Sequence, residues 1–166
     1  MRYAIFSDVH ANLRAWEAVL ADIREQQPDV LVCLGDAVGY GPKPEEVLRG
    51  IREVTANFVM GNHDAAAAGA MDYSIFNKQA QQSIRWTADA LSAESREFLG
   101  DVPLVIDSDD VQFVHAEITE PGRFGYIDDL EKAESNFADS NHFVTFAFAV
   151  AVSISPAKTR IALLGP

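Results

Sequence analysis

Short apolar runs alternate along the chain with segments whose apolar residues recur every three or four positions. Tyr3 to Phe6 is an apolar run rich in strand formers. Leu13, Trp16, Leu20 and Ile23 follow at helical spacing, with Asn12 placed to cap that helix. Val30 to Leu34 is continuously apolar, as in a strand buried on both faces of a parallel sheet. Pro42 and Pro44 then break the chain, and Pro44 followed by Glu45 and Glu46 suits the first turn of a helix. Phe58 to Met60 reads as a third strand. A helical stretch runs from about Asn77 to Leu91, and a shorter one follows Ser92 as its cap. Val111 to Val114 is another strand, Asp129 to Phe137 is helical, and the almost wholly apolar stretch Phe143 to Ser155 reads as one or two buried strands. Trp16, Trp86 and the phenylalanines are assigned to the core, and Ala65 to Ala68 to a helix. This alternation predicts an α/β layered fold. With no linker, repeat or low-complexity tract, residues 1–166 read as a single domain.

Composition narrows the possibilities. The 166 residues suffice for one domain with a sizeable core. A formal net charge of -12 repels a nucleic-acid backbone, and no basic cluster offsets it, so bulk nucleic-acid binding is not expected. A small phosphorylated substrate stays compatible with that charge, because bound divalent cations reverse the local field. No apolar run reaches the roughly 18 residues of a membrane span. The N-terminus lacks the apolar stretch of a signal peptide. The single cysteine, Cys33, cannot form an internal disulfide, and a reducing cytoplasm fits best.

The polar residues that interrupt this pattern fall at particular places. The first strand runs into Asp8-Val9-His10, the second into Gly35-Asp36, the third into Gly61-Asn62-His63-Asp64, and the strand at Val111 to Val114 into His115. Ligands of open α/β sheets bind at the carboxyl ends of the strands, so these residues are expected at one sheet edge. Asp8 and His10, two apart, would project to the same side of an extended chain. Carboxylate and imidazole together suit zinc, manganese or iron. Asp36 offers two oxygens and could bridge two cations, Asn62 offers a neutral carbonyl oxygen, and His115 a second imidazole. Gly35 and Gly61 would let the backbone turn tightly beside these ligands. His63 is free to protonate a leaving oxygen, with Asp64 holding its ring. Taken singly, each piece has a plain structural reading: a turn at Gly-Asp, a helix start at Asn62 or Asp64, a core histidine at His115. Their occurrence together and in order favours a metal centre. Two cations roughly 3.5–4 Å apart are a standard device for phosphate-ester hydrolysis.

Those four blocks, with the stretch Gly35-Asp36-Ala37-Val38-Gly39-Tyr40-Gly41-Pro42, resemble the calcineurin-like metallophosphoesterase family, and within it the small bacterial and archaeal phosphodiesterase-like or diadenosine-tetraphosphatase-like branch. The resemblance covers roughly residues 1–146. It implies a two-sheet sandwich flanked by helices. It also implies that Asp8 and His10 bind a first metal, Asp36 bridges, Asn62 and His115 bind a second, and His63 is the general acid. The cofactors implied are two divalent ions, manganese favoured over iron or zinc.

The chain departs from the family's pattern in its last third. The final Gly-His-x-His block should follow a downstream strand, yet Phe143 to Phe146 leads into Ala147-Phe148-Ala149-Val150. His142 lies before that strand, and the C-terminal part reads as shortened or divergent. Three protein ligands remain for each metal, enough for a catalytic cation with open positions. Two readings follow: metal-dependent hydrolysis of a phosphate mono- or diester or phosphoanhydride, or a catalytically weak relative that binds metal or a phosphorylated ligand in a regulatory role.

Overall fold

The computed structural model describes residues 1–108, 111–138 and 144–147. The chain begins with β1 (Tyr3–Phe6), α1 (Leu13–Gln26) and β2 (Val30–Cys33), a parallel unit in which Tyr3 pairs with Val30 and Phe6 with Cys33. The helices α2 (Pro44–Arg52), α3 (Asn62–Ala68), α4 (Lys78–Ala90) and α5 (Ala93–Asp101) follow. A second sheet is built from β3 (Val105–Ser108), β4 (Val111–Val114) and β5 (Val144–Ala147), with α6 (Leu130–Ala138) between the last two strands. β3 runs antiparallel to β4, and β4 runs parallel to β5 with Val111 opposite Val144 and Val114 opposite Ala147.

Helix starts follow side-chain chemistry. Asn12, Asn77 and Ser92 each accept a hydrogen bond from the backbone N–H three residues on, at 3.1, 2.9 and 3.1 Å. Pro44 opens α2 with Glu45 and Glu46 in its first turn, where the helix dipole favours negative charge. Val47, Leu48 and Ile51 form its buried face, fully removed from solvent. Truncating Ile51 to Ala would cost about 2–5 kcal/mol.

The period-two alternation of β2 divides the core. Val32 joins Leu34, Val59 and Phe113, with Tyr3, Ile5 and Ile106 beside them, in the layer between the two sheets. Cys33 faces the other way, into a larger cluster with Phe6, Trp16, Leu48, Ile51 and Leu99 beneath the helices. The result is the expected two-sheet α/β sandwich flanked by helices. Cys33 is fully buried, and that burial pushes its thiol well above the ordinary range.

Three expectations need correction. Phe58 to Met60 forms only a single bridge, Phe58 to Cys33, because the Met60 amide turns away to the carbonyl of Pro103 at 2.8 Å. The strand β3 went unpredicted. Trp86 is 48% exposed on α4, on the face away from the buried Ile84 and Thr87, whereas Trp16 is buried as expected. Of the apolar stretch from Phe143 to Ser155, Val144–Ala147 forms β5 and the rest lies outside the described residues. Among the described residues no helix is long and apolar enough to cross a membrane.

Candidate metal centre

The loops after β1 and β2 run side by side. The amides of Asp8, His10 and Ala11 donate to the carbonyls of Gly35, Asp36 and Ala37 at 3.0, 2.9 and 2.8 Å. Asp8 and His10 are not extended as expected. Their φ values are 56° and 47°, with Ala11 at 54° and Asp36 at 53°, all left-handed. A non-glycine residue in that region costs on the order of 1–2 kcal/mol, and the ladder between the loops is what holds these four residues there. Asp8 and His10 are nevertheless brought together, with Nε2 of His10 at 3.6 Å from Oδ1 of Asp8.

Asp36 lies at the middle of the cluster. Its Oδ1 accepts a 2.9 Å hydrogen bond from the His63 amide, which fixes the carboxylate. Its Oδ2 lies 3.8 Å from Nε2 of His10 and 3.7 Å from Nε2 of His115. Both imidazoles are oriented from behind: Nδ1 of His10 meets the Val38 carbonyl at 3.1 Å, and Nδ1 of His115 meets the Leu34 carbonyl at 2.6 Å. A carbonyl can only accept, so each Nδ1 carries a proton, and each Nε2 is the ring atom turned toward the site, where a neutral ring would offer a cation its lone pair. Oδ1 of Asn62 completes that side at 3.2 Å from Nε2 of His115.

Asp64 does not hold the His63 ring, contrary to expectation. Its carboxylate is wholly buried and accepts from the amides of Asp36 at 2.7 Å, Gly61 at 3.2 Å and Val38 at 3.2 Å. With its oxygens committed to three backbone donors, it ties the Asp36 loop to the start of α3. Gly61 has an ordinary φ of -92°, so its role is space rather than a tight turn. A Cβ there would collide with Oδ1 of Asp36. Gly35 does need its conformation, at φ +96°.

His63 sits among aromatic rings, with centroids 4.8 Å from His10, 4.6 Å from Tyr40 and 5.3 Å from Phe76. Its buried Nδ1 has no hydrogen-bond partner. Burial, reinforced by His10 and His115, depresses its pKa from 6.5 to about 3, so the ring is neutral near pH 7. Asp36 moves the opposite way. Burial raises it from 3.8 to about 7, and the charge of Asp8 adds to that rise while His10 opposes it.

This arrangement fits a cation. Ligand-capable atoms of His10, Asp36 and His63 all lie within 4.8 Å of one another. The buried Oδ2 of Asp8 has no hydrogen-bond partner, although a buried polar atom ordinarily has one. Carboxylates that oppose each other's ionisation, surrounded by imidazole lone pairs and a neutral carbonyl oxygen, form a donor set for a borderline divalent metal. All five residues expected as ligands, Asp8, His10, Asp36, Asn62 and His115, reach this one locus. Phe148 and Val150, which stand where two histidines were expected, and His142 lie outside the described residues. Tyr40 was missed by sequence reasoning. Its signal was an aromatic residue set between two glycines directly after the Gly-Asp block.

The family model described as calcineurin-like phosphoesterase matches residues 1–147. An uncharacterized protein of Methanocaldococcus jannaschii is 38% identical over 128 residues, covering 75% of this chain and 53% of that protein. The crystal structure of a metallophosphoesterase from Sphaerobacter thermophilus superposes with a TM-score of 0.76 at 37% identity, over 89% of this chain and 59% of that one. A hypothetical protein from Pyrococcus horikoshii shares the fold at a TM-score of 0.71 and 17% identity, over 89% of this chain and 69% of that one. The chain thus spans 53% and 59% of the first two relatives' lengths.

Proposed function

The chain belongs to the calcineurin-like phosphoesterase family, and from its site we propose that it hydrolyses a phosphate mono- or diester, or a phosphoanhydride, at a dinuclear divalent-metal centre. The observation that carries this reading is the position of Asp36, whose Oδ2 faces Nε2 of His10 on one side and Nε2 of His115 on the other at 3.8 and 3.7 Å. Asp8, His10 and Asp36 would hold one cation, and Asp36, Asn62 and His115 the other. Mixed oxygen and imidazole donors suit manganese, iron or zinc, with manganese favoured. Bound there, divalent cations supply Lewis acidity toward phosphoryl oxygens and lower the pKa of water.

The chain's own residues do the rest. Leu34 and Val38 orient His115 and His10 through their carbonyls, so both Nε2 atoms are turned toward the site before any ligand arrives. Asp64 keeps Asp36 in register with the start of α3. His63, neutral on its own, can hold a proton for a leaving oxygen once a phosphate brings negative charge beside it. Tyr40 and Phe76 pack on His63 and keep water from one side of its ring. The substrate is a small phosphorylated molecule, since the acidic chain would repel a polyanion at long range.

A second reading, binding of metal or a phosphorylated ligand with little turnover, is favoured by one observation: Ala147 to Val150 stand where two further imidazoles are expected. Turnover of bis(p-nitrophenyl) phosphate with added manganese separates the two. Hydrolysis that rises with manganese and vanishes in Asp36→Asn supports the enzyme. Tight manganese binding without hydrolysis supports the binding protein.

A further inference from the structure

The three imidazoles of the site are not held in the same way. Nδ1 of His10 and Nδ1 of His115 each donate to a backbone carbonyl, at 3.1 and 2.6 Å. Nδ1 of His63 is buried and has no hydrogen-bond partner. Gly39 lies flat against that atom, and a Cβ on Gly39 would collide with it. Among the described residues no hydrogen bond sets the rotation of the His63 ring, so packing must set it. The aromatic partners are His10, Phe76 and Tyr40, at centroid distances of 4.8, 5.3 and 4.6 Å. Of these, Tyr40 lies nearest, and its ring also meets the His10 ring edge-on at 4.9 Å. It is a wedge between two imidazoles of the centre.

The wedge is itself held from outside the centre. About half of the Tyr40 side chain is open to water, at 48% exposure, so burial does not fix it. Its backbone has a left-handed φ of 55° and follows Gly39 at +92°. A non-glycine residue keeps such a conformation only where its surroundings impose it. Two amides are anchored here. That of Gly41 donates to the carbonyl of His10 at 3.0 Å, and that of Tyr40 donates to Oγ of Ser83 on α4 at 2.5 Å. Ser83 lies three residues after the buried Ala80 and four before the buried Thr87, on the inward face of α4. Alanine would serve the helix better at that position. What the hydroxyl adds is an acceptor for the Tyr40 amide. No residue of α4 was expected as a metal ligand, yet α4 reaches the centre through this one bond.

We propose that Ser83 is a positioning residue for His63: its hydroxyl seats the backbone of Tyr40, and the seated Tyr40 ring fixes the rotation of the His63 imidazole. The consequence for turnover rests on the phosphoesterase reading, with His63 as the proton donor; the consequence for ring geometry does not. A proton donor must lie within hydrogen-bond reach of the leaving oxygen. A ring free to turn loses that aim, and small misplacements at a reacting centre are costly.

Ser83→Ala removes the acceptor and keeps α4, because alanine is the better helix former. Proton NMR of the metal-free protein reads the seat without turnover. The ring-proton lines of His63 lie in the ring current of Tyr40, so Ser83→Ala should move them toward their positions in Tyr40→Ala. Ser83→Thr, which keeps the hydroxyl, should return them to the parent's positions. With manganese bound, Ser83→Ala should slow hydrolysis of a methyl phosphate ester by about tenfold and of a nitrophenyl ester by less than about twofold, at unchanged metal content. Ser83→Thr should restore both rates. A merely structural role would slow the two esters alike. Parent-like His63 lines in Ser83→Ala overturn the proposal and leave the phosphoesterase reading standing, and so does equal slowing of the two esters. If the parent hydrolyses neither ester, the phosphoesterase reading fails, and the His63 lines alone decide whether Ser83 seats the ring.

Discussion

The carboxylate of Asp64 accepts a 2.7 Å hydrogen bond from the amide of Asp36, which joins the loop after β2 to the first turn of α3 in a fully buried setting. The amides of Gly61 and Val38 donate to the same carboxylate. Asp64→Ala would strand three buried donors, each costing about 1–3 kcal/mol. We expect a loss of about 3 kcal/mol or more, a fall in melting temperature of about 10 °C for a domain of this size, and weaker manganese binding. Asp64→Asn, which keeps one carbonyl oxygen, should fall between parent and alanine. A melting curve for Asp64→Ala within about 2 °C of the parent would contradict this role.

Asp36→Asn separates stability from metal binding. The amide oxygen can still accept from the His63 N–H, so the loop keeps its anchor. The buried charge disappears. The variant should show no manganese heat by calorimetry, yet melt at or above the parent's temperature when both are held in chelator near pH 8. Manganese binding equal to the parent's would remove Asp36 from the centre.

The buried carboxylates also set a pH dependence. Burial raises the titration of both Asp36 and Asp64 from 3.8 to about 7, and the charge of Asp8 adds to it for Asp36 while that of Asp36 adds to it for Asp64. The folded chain therefore holds protons that the unfolded chain has released. Stability from this source is complete below about pH 4 and is lost as the pH rises through about 7. In chelator, the protein should melt lower near pH 8 than near pH 5.5. Excess manganese should close the gap near pH 8, because a cation replaces the protons. Asp36→Asn should flatten the profile. An equal or higher melting temperature near pH 8 in chelator would show that these carboxylates do not govern the profile.

His63→Ala should distinguish proton donation from a purely spatial role. A general acid matters most for a poor leaving group. Hydrolysis of a methyl phosphate ester should slow by about 100-fold or more, and that of a nitrophenyl ester by less than about tenfold. Equal losses on both, with manganese content reduced, would instead make His63 a ligand alongside His10 and Asp36.

Most of the layered fold was legible because its signals are local. Val30 to Leu34 is apolar without a break, and Asn12, Asn77 and Ser92 announce their helices by side-chain chemistry. β3 was not legible because only Val105 and Ile106 are apolar, and its second half, Asp107 and Ser108, is exposed at the end of a hairpin. Trp86 was misread because a large ring on an amphipathic helix looks the same in sequence whether it faces in or out. In the site, residue types were visible and conformations were not. Nothing in Asp8-Val9-His10 specifies left-handed backbone; the ladder to residues 35–37 imposes it. Asp64 was assigned to its sequence neighbour His63, whereas its partners Asp36 and Val38 are long-range. Sequence adjacency is a poor guide to the partners of a buried carboxylate.

The carbonyls that orient His10 and His115 come from Val38 and Leu34, two ends of one five-residue segment with Asp36 at its centre. Both halves of the centre therefore share a single mechanical element. Whatever steadies residues 34–38 from one side also sets the imidazole and the carboxylate that the other side needs. If two cations bind as proposed, both depend on this one segment, so the two binding events are thermodynamically linked. A substitution that loosens residues 34–38, such as Asp64→Ala, should accordingly weaken every manganese-binding step seen in a titration rather than one of them.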